Sequence, residues 1–425
     1  MTELASPARP LEAGQPIQQV AQDDPAAAAA AAADVAAGAA PSAPTARAAE
    51  VAFSGQHPFQ FHGDGAEYFR IWIVNLLLTV ATLGVYSAWA KVRRLQYFYR
   101  NTTVDGAIFD YHGDPKAILK GRIVAVGLFA AYKIAFDVSP VAALLIGGLL
   151  VAIMPWLLAR SFRFRLANSS YRGVRFHFAG TIADAYRALV LLPLILVVTG
   201  LFVWSVATSF HQHQGIGLVL LEGLLPVLAI FAVIPLAHFQ LKRYQHDHAY
   251  FGQSPFFFLA RPKQFFVIYA KAIGLLVLGV LVAGIFTYLT TDLARMISAS
   301  MFGWLLGILY TSLSGYVMYL FVRPYIESRV QNLVWNKTEL GDSRFVSNAS
   351  ARRLLWLHAS NLLLIVLSAG LFRPFAAIRL LRYRVSCLAL VAEQVLDVVE
   401  AQHGELAVGA GGQEAGDFFD IEIAL

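Results

Sequence analysis

The stretch RNTTVDGAIFDY, Arg100–Tyr111, places an Asp-Gly pair between two short runs of residues that favour β-strands. Glycine accepts the positive φ of a two-residue turn, so this stretch predicts a tight β-hairpin. Three later stretches repeat an Asn or Asp five residues before a Gly, with a Phe shortly after it: ANSSYRGVRFHF, HDHAYFGQSPFFF and WNKTELGDSRFVS. We predict four small hairpins, whose aromatic faces rest on helix ends or in a membrane interface and include Phe109, Phe176, Phe256 and Phe345.

The chain around these hairpins is too apolar for a water-soluble domain. It is 58% hydrophobic and 14% charged, whereas soluble domains have roughly 25% charged residues. A helix needs about 20 apolar residues to cross a bilayer. About eight hydrophobic segments reach or approach that length: Phe69–Ala90, Ile123–Phe136, Val141–Ala159, Ala188–Phe210, Leu224–Phe239, Ala272–Leu289, Met301–Val322 and Leu354–Ala377. The predicted fold class is an all-α polytopic membrane protein with small β-hairpins in its cytoplasmic loops.

Positive charge is concentrated in the connections that contain the hairpins. Lys91–Arg122 has seven Lys and Arg, Arg160–Arg187 six, Lys242–Lys271 five and Arg323–Arg353 six, which is 24 of the 33 in the chain. Basic loops of this length stay in the cytoplasm. We therefore predict that all four connections face the cytoplasm.

The first and last hydrophobic segments are similar to each other. NLLLTVATLGVYSAWAKVRRLQY (Asn75–Tyr97) aligns without a gap to NLLLIVLSAGLFRPFAAIRLLRY (Asn361–Tyr383) at an offset of 286. We predict an internal duplication, with each copy broken into two helices at Gly84 and Gly370. Internal symmetry is common in transporters, but gene duplication without a transport role produces it equally.

The two ends of the chain differ in composition from the middle. Residues 1–50 are rich in Ala and Pro and predict a disordered tail, while residues 391–425 are acidic and predict a flexible C-terminal tail. The membrane domain is expected over residues 51–390. A single cysteine, Cys387, excludes an intramolecular disulfide.

Several motifs together resemble the YjgN-like family of bacterial inner-membrane proteins. They are FQFHG at Phe59–Gly63, TLGVY at Thr82–Tyr86, the pair Trp89-Ala90 and the Asn…Gly…Phe strand pattern. The likeness extends from Phe59 to about Tyr383, and it departs from the family where Ser87 and Ala88 replace a frequent Pro. It implies a multi-pass protein of the bacterial inner (cytoplasmic) membrane. It implies no reaction, because the family's molecular function is not established.

Polar residues in apolar segments are candidates for a function within the membrane. Asn75 and Asn361 open the matching NLLL runs, and Lys133 and Asp137 are spaced to pair on one helical face. The alternative is structural: a hydrogen bond between helices for the Asn residues, and ionisable groups near segment ends for the other two.

Basic residues beside aromatic ones are candidates for binding lipid headgroups, although their charge also serves to fix topology. These candidates are Arg93, Arg94, Arg163, Arg165, Arg379 and Arg382.

No motif in the sequence predicts catalysis. The His pairs at His211 and His246 fall on opposite predicted sides of the membrane, and a metal site needs three or four convergent ligands. We expect no catalytic residues, metal or cofactor, no nucleic acid, and membrane lipids as partners. The first functional hypothesis is a transporter or channel. The second is a non-transporting protein that binds lipid or acts as a scaffold.

Overall fold

The computed structural model describes residues 55–211, 216–289 and 301–392. The predicted N-terminal tail and all but the first two residues of the predicted acidic tail lie outside these ranges. The described chain alternates between short strands and helices. In order, the elements are β1 Gln56–Pro58, β2 Gln60–Phe61, α1 Gly65–Ala81, α2 Ser87–Arg100, β3 Thr102–Val104, β4 Ala107–Tyr111, α3 Pro115–Val138, α4 Pro140–Ala167, β5 Ser169–Tyr171, β6 Val174–Phe178, α5 Ile182–Leu189, α6 Leu191–His211, α7 Ile216–Asp247, β7 Ala249–Phe251, β8 Ser254–Phe258, α8 Pro262–Leu289, α9 Met301–Asn336, β9 Thr338–Leu340, β10 Ser343–Ser347, α10 Ala351–Leu367, α11 Arg373–Ser386 and β11 Leu388–Val391.

All eleven described strands belong to one antiparallel sheet. Its order is β1-β11-β10-β9-β8-β7-β6-β5-β4-β3-β2. The two ends of the sheet, β1 and β2, are separated in the chain only by Phe59, so the sheet is a nearly closed barrel. The predicted all-α fold class with separate hairpins is therefore wrong. The hairpins exist, but each pairs with the next through contacts between residues far apart in sequence, which local patterns do not encode.

The four predicted hairpins are confirmed. In the first, Asp105 and Gly106 have φ of 49° and 69°, as a type I′ turn requires, and the pair Arg172–Gly173 repeats this geometry. In the other two, Gly252 and Gly341 occupy the first turn position, with φ of 55° and 56°. The repeated glycine therefore has one conformational role at two slightly different turn positions.

Phenylalanine side chains fill the inside of the barrel. Phe59 lies 6.1 Å from Phe109 and 6.5 Å from Phe345 between ring centroids. Phe256 lies 6.2 Å from Phe345 and 6.4 Å from Phe176. All five rings are buried. We call these five residues the phenylalanine layer. They pack against one another as well as against helix ends. Separate hairpins in a membrane interface would not bring rings from different hairpins together.

The described helices that are joined directly to a strand meet the sheet at the same rim. Neighbouring strands are antiparallel, each hairpin begins where a helix ends, and another helix follows each hairpin. The hairpin turns therefore form one rim of the barrel, and the helix ends form the other.

Two helical stretches in the described ranges are long and apolar enough to cross a membrane, Val141–Ala167 in α4 and Pro262–Ile285 in α8. The prediction of about eight such segments is wrong. In the first and last segments the helix ends early: α1 and α10 have 17 residues each, fewer than the roughly 20 a spanning helix needs. The apolar run predicted at Ile123–Phe136 belongs to α3, which also contains five Lys, Arg and Asp side chains.

The first and last helix pairs have matching bounds. α1 and α2 coincide with α10 and α11 at the offset of 286. Leu83 and Ala369 both have φ of 49°, and Gly84 and Gly370 both have φ of 93°. The predicted helix break at the two glycines is confirmed, because this left-handed backbone ends one helix and starts the next in a new direction.

Candidate functional site

A cavity of about 160 Å³ lies where the phenylalanine layer meets the helix ends. One water needs only about 10–15 Å³ by the same measure, so the cavity can hold a larger group. Side chains of α2, α4, α7, α9 and α11, the five helices that lead into strands, all line it. The cavity is therefore placed by the whole fold and not by one local motif.

The Asn or Asp of the repeated pattern bonds either to the end of its own helix or to the sheet. Asn101 and Asn168 each donate from Nδ2 to a carbonyl oxygen four residues earlier in their own helix, at 2.8 Å. Asp247 accepts at 2.9 Å from a backbone N–H of β8. Asn336 bonds to both the N–H and the carbonyl oxygen of the last residue of β10, at 2.5 and 3.1 Å.

The cavity combines positive charge with aromatic walls. Four cationic side chains line it, from α2, α4 and α11: Lys91, Arg94, Arg165 and Arg384. Apolar and aromatic side chains make up most of the remaining wall, among them Phe98, Tyr99, Phe109, Tyr111, Phe176, Phe256 and Trp335. Cations beside apolar walls suit a ligand that has an anionic and an apolar part.

Gln245 of α7 is the most unusual residue of the cavity. It is only 3% exposed, and neither its Oε1 nor its Nε2 has a hydrogen-bond partner among the described residues. Most buried polar side-chain atoms in proteins are hydrogen-bonded. Gln245 thus has an unused donor and an unused acceptor at the cavity wall.

Arg384 joins the cavity to a buried ionic cluster. Its guanidinium donates from one terminal nitrogen to Glu327 Oε2 at 2.8 Å, while its Nε has no partner among the described residues. Glu327 also accepts from Arg323 Nε at 2.5 Å, and its Oε2 lies 3.0 Å from His358 Nε2. The Glu327 carboxylate therefore holds together α9, α10 and α11 and orients Arg384.

Two titratable groups of α7 lie close to the cavity. His246 lines it, stacked 5.5 Å from Phe258, with Nδ1 3.3 Å from the hydroxyl of Thr338. Burial, followed by the charge of Lys242, lowers the pKa of His246 to about 3, so the ring is neutral at pH 7. Burial and the charge of Arg165 lower the pKa of Lys242 to about 8. Lys242 and Arg165 thus place two positive charges close together beside the cavity.

The predicted polar residues lie outside the cavity. Asn361 is buried, and its Oδ1 accepts from Arg379 at 2.7 Å. Asn75 is equally buried, but its Oδ1 has no partner among the described residues. Lys133 and Asp137 form the expected pair at 2.9 Å on a well exposed face of α3. The structure does not bring these four residues together.

The predicted headgroup ligands divide into two groups. Arg94 and Arg165 line the cavity. The other four do not line the cavity. Arg93 stacks on the Tyr86 ring, and Arg379 binds Asn361. Arg163 donates to the carbonyl oxygen of Gly180 at 2.7 Å, and Arg382 donates to that of Gly63 at 2.8 Å.

Sequence reasoning missed Gln245, Arg384 and Glu327. Glu327 did leave a signal, because it is an acidic residue inside Arg323–Arg353, a segment that we considered only for its positive charge. Gln245 left none, since one glutamine among apolar and basic residues on a helix is unremarkable until its surroundings are known.

Comparison with known proteins identifies the family. Residues 56–418 match the family described as "Bacterial protein of unknown function (DUF898)". The chain belongs to this family. It is 27% identical over 321 residues to "Inner membrane protein YjgN" of Salmonella typhimurium, a match that covers 71% of this chain and 80% of the relative.

Two Escherichia coli proteins with the same name also match. The O157:H7 protein is 28% identical over 42% of this chain and 45% of its own length. The K12 protein is 29% identical over 43% of this chain and 46% of its own length. The resemblance predicted from the motifs is confirmed, and the names of these relatives support the predicted location at the bacterial inner membrane. No solved structure matches the chain.

Proposed function

We propose that this protein is a multi-pass protein of the bacterial inner membrane that binds an anionic lipid in the cavity between its sheet and its helices. The cavity is the observation that favours this role: cationic groups and a residue with an unpartnered amide lie beside aromatic walls, at the rim where the helices join the sheet. A binding role is favoured because the cavity wall combines positive charge with apolar surface.

The multi-pass part of the proposal follows from the connectivity. If α4 crosses the membrane, α3 must cross as well, because only Ser139 joins the two helices and both are attached to the same sheet. α8 and α9 are likewise attached to the same sheet, at the ends that join β8 and β9, so α9 must cross if α8 does. Exposed apolar side chains fit lipid contact, such as Phe129 at 71% and Leu144 at 76% exposure. The pairing of Lys133 with Asp137 reduces the cost of the charges on α3.

Thiol labelling in cells tests this topology. In a Cys387→Ser background, single cysteines replace Ile108, Phe257 or Val346, which are exposed on the outer face of the sheet. We expect an impermeant thiol reagent to label none of them in spheroplasts and all of them after lysis, because basic connections remain in the cytoplasm. A cysteine at Val138, which is 77% exposed at the far end of α3, is the matched positive control. Labelling of the sheet positions from outside would refute the orientation.

Lipid retention tests the binding role. Native mass spectrometry of the protein purified in mild detergent should show a bound anionic phospholipid. The double variant Arg94→Gln/Arg165→Gln should bind it about 30-fold more weakly, since each basic group near an anionic lipid contributes about 1 kcal/mol. Arg93→Gln/Arg163→Gln removes the same charge from neighbouring helix positions outside the cavity and should leave retention within about threefold. Equal losses in both double variants would contradict a cavity site.

Transport by a carrier or channel is the second candidate function. The position of the cavity at the centre of the helix ends favours it. Asn75 and Asn361 do not line the cavity, and the phenylalanine layer fills the barrel beside it. Uptake of a solute by purified protein in liposomes, abolished by the Arg94→Gln/Arg165→Gln variant, would establish transport in place of static binding.

A further inference from the structure

Two residues that line the cavity have buried polar atoms without a partner among the described residues, and these atoms specify more than a negative charge. Arg384 Nε is a buried donor without a partner among the described residues, at a wall that other cations share. It requires an acceptor, and an anionic oxygen satisfies it best. Gln245 requires both a donor for its Oε1 and an acceptor for its Nε2. A hydroxyl group is the small group that supplies both.

We infer that the cavity binds the headgroup of a phospholipid that has free hydroxyl groups beside its phosphate, as phosphatidylglycerol does. This inference rests on the proposed function, which requires only that the lipid is anionic. The phosphate lies towards Arg384, and the glycerol hydroxyls bond to the amide of Gln245. The carbon atoms of the headgroup lie against aromatic walls such as Trp335.

The charge and size of the cavity agree with this occupant. Four cationic side chains line the cavity, which is more positive charge than one phosphate requires. One of the four, Arg384, is already paired with Glu327. A volume of about 160 Å³ admits a headgroup of several heavy atoms.

Three lipids with different headgroups provide the test. The purified, delipidated protein is titrated with vesicles of neutral phosphatidylcholine that contain phosphatidylglycerol, phosphatidic acid or phosphatidylethanolamine. Binding is read from tryptophan fluorescence and from the lipids retained in native mass spectra. We expect phosphatidylglycerol to bind at least fivefold more tightly than phosphatidic acid, which lacks the glycerol hydroxyls. Both should bind more tightly than phosphatidylethanolamine.

Substitutions in α7 test whether Gln245 causes the preference for phosphatidylglycerol over phosphatidic acid. Gln245→Leu should reduce phosphatidylglycerol binding to the level of phosphatidic acid and leave phosphatidic acid unchanged. Gln245→Glu keeps the size of the side chain and is a second variant beside leucine; its added negative charge should weaken the binding of both anionic lipids. Gln240→Leu is the matched control, because Gln240 also has a buried Oε1 without a partner among the described residues but does not line the cavity. Its binding should equal that of the wild type.

The outcomes separate the inference from the function on which it rests. Equal binding of phosphatidylglycerol and phosphatidic acid, both above phosphatidylethanolamine, overturns the hydroxyl preference and leaves the anionic-lipid function intact. Equal binding of all three lipids overturns both. Competition by free glycerol phosphate at the concentration at which the lipid binds would show that the ligand is the soluble compound, and would overturn the lipid as its source.

Discussion

Replacing Phe256 with alanine is expected to lower the free energy of unfolding by about 3–5 kcal/mol, the usual cost of removing a buried phenylalanine ring. Phe256 is 7% exposed and contacts Phe176 and Phe345 in the phenylalanine layer. Its ring also lines the cavity. The loss therefore opens a void at the centre of the barrel, where strands of three to five residues have little other support.

The next residue of the same strand provides the control. Phe257 is 48% exposed on the other face of β8, so Phe257→Ala should change stability by less than about 1 kcal/mol. Thermal or denaturant unfolding of both variants in the same detergent measures the difference. Equal effects would mean that the layer does not stabilise the sheet.

Replacing Glu327 with glutamine is expected to have an effect of similar size. The carboxylate interacts with Arg323, His358 and Arg384 and has only 19% of its side chain exposed. Removing one partner of a buried ion pair costs about 3–5 kcal/mol, because the remaining charges lose their compensation. Arg384 should also lose its fixed position, so lipid binding in the cavity should weaken even at temperatures at which the variant is folded.

Asp137→Asn is the control, because it removes an exposed carboxylate instead of a buried one. Asp137 pairs with Lys133, but both side chains are at least 60% exposed, and such a pair contributes about 0.3–0.5 kcal/mol. Unfolding curves and lipid titrations of both variants separate the two cases. A Glu327→Gln protein as stable as Asp137→Asn would show that the cluster does not hold the three helices together.

The sequence allowed each hairpin to be predicted but not the sheet. An Asn, a Gly and a Phe at fixed spacing report local geometry: a helix end, a turn with positive φ and an inward-facing ring. Pairing such as β6 with β7 joins residues more than 70 positions apart, and no local pattern records it. The helix breaks at Gly84 and Gly370 were predictable as well, because a glycine with positive φ is also a local feature of the sequence.

The candidate site was only partly predictable. Arg94 and Arg165 were predicted as headgroup ligands from their place among basic and aromatic residues, and both line the cavity. Gln245 and Arg384 became recognisable only when five helix ends met around one space. The prediction of membrane segments was wrong at the first and last of the eight because hydropathy counts apolar residues and does not detect where a helix ends, as it does before Gly84.

An experimental structure of the protein in lipid nanodiscs that contain phosphatidylglycerol and phosphatidylethanolamine would show directly whether the cavity holds a lipid headgroup. We predict the barrel at one surface of the bilayer, the exposed faces of α4 and α8 in lipid, and headgroup density between Gln245 and Arg384. A cavity that holds only water, with Gln245 bonded to protein atoms, would contradict the account. So would a barrel that lies away from the membrane surface.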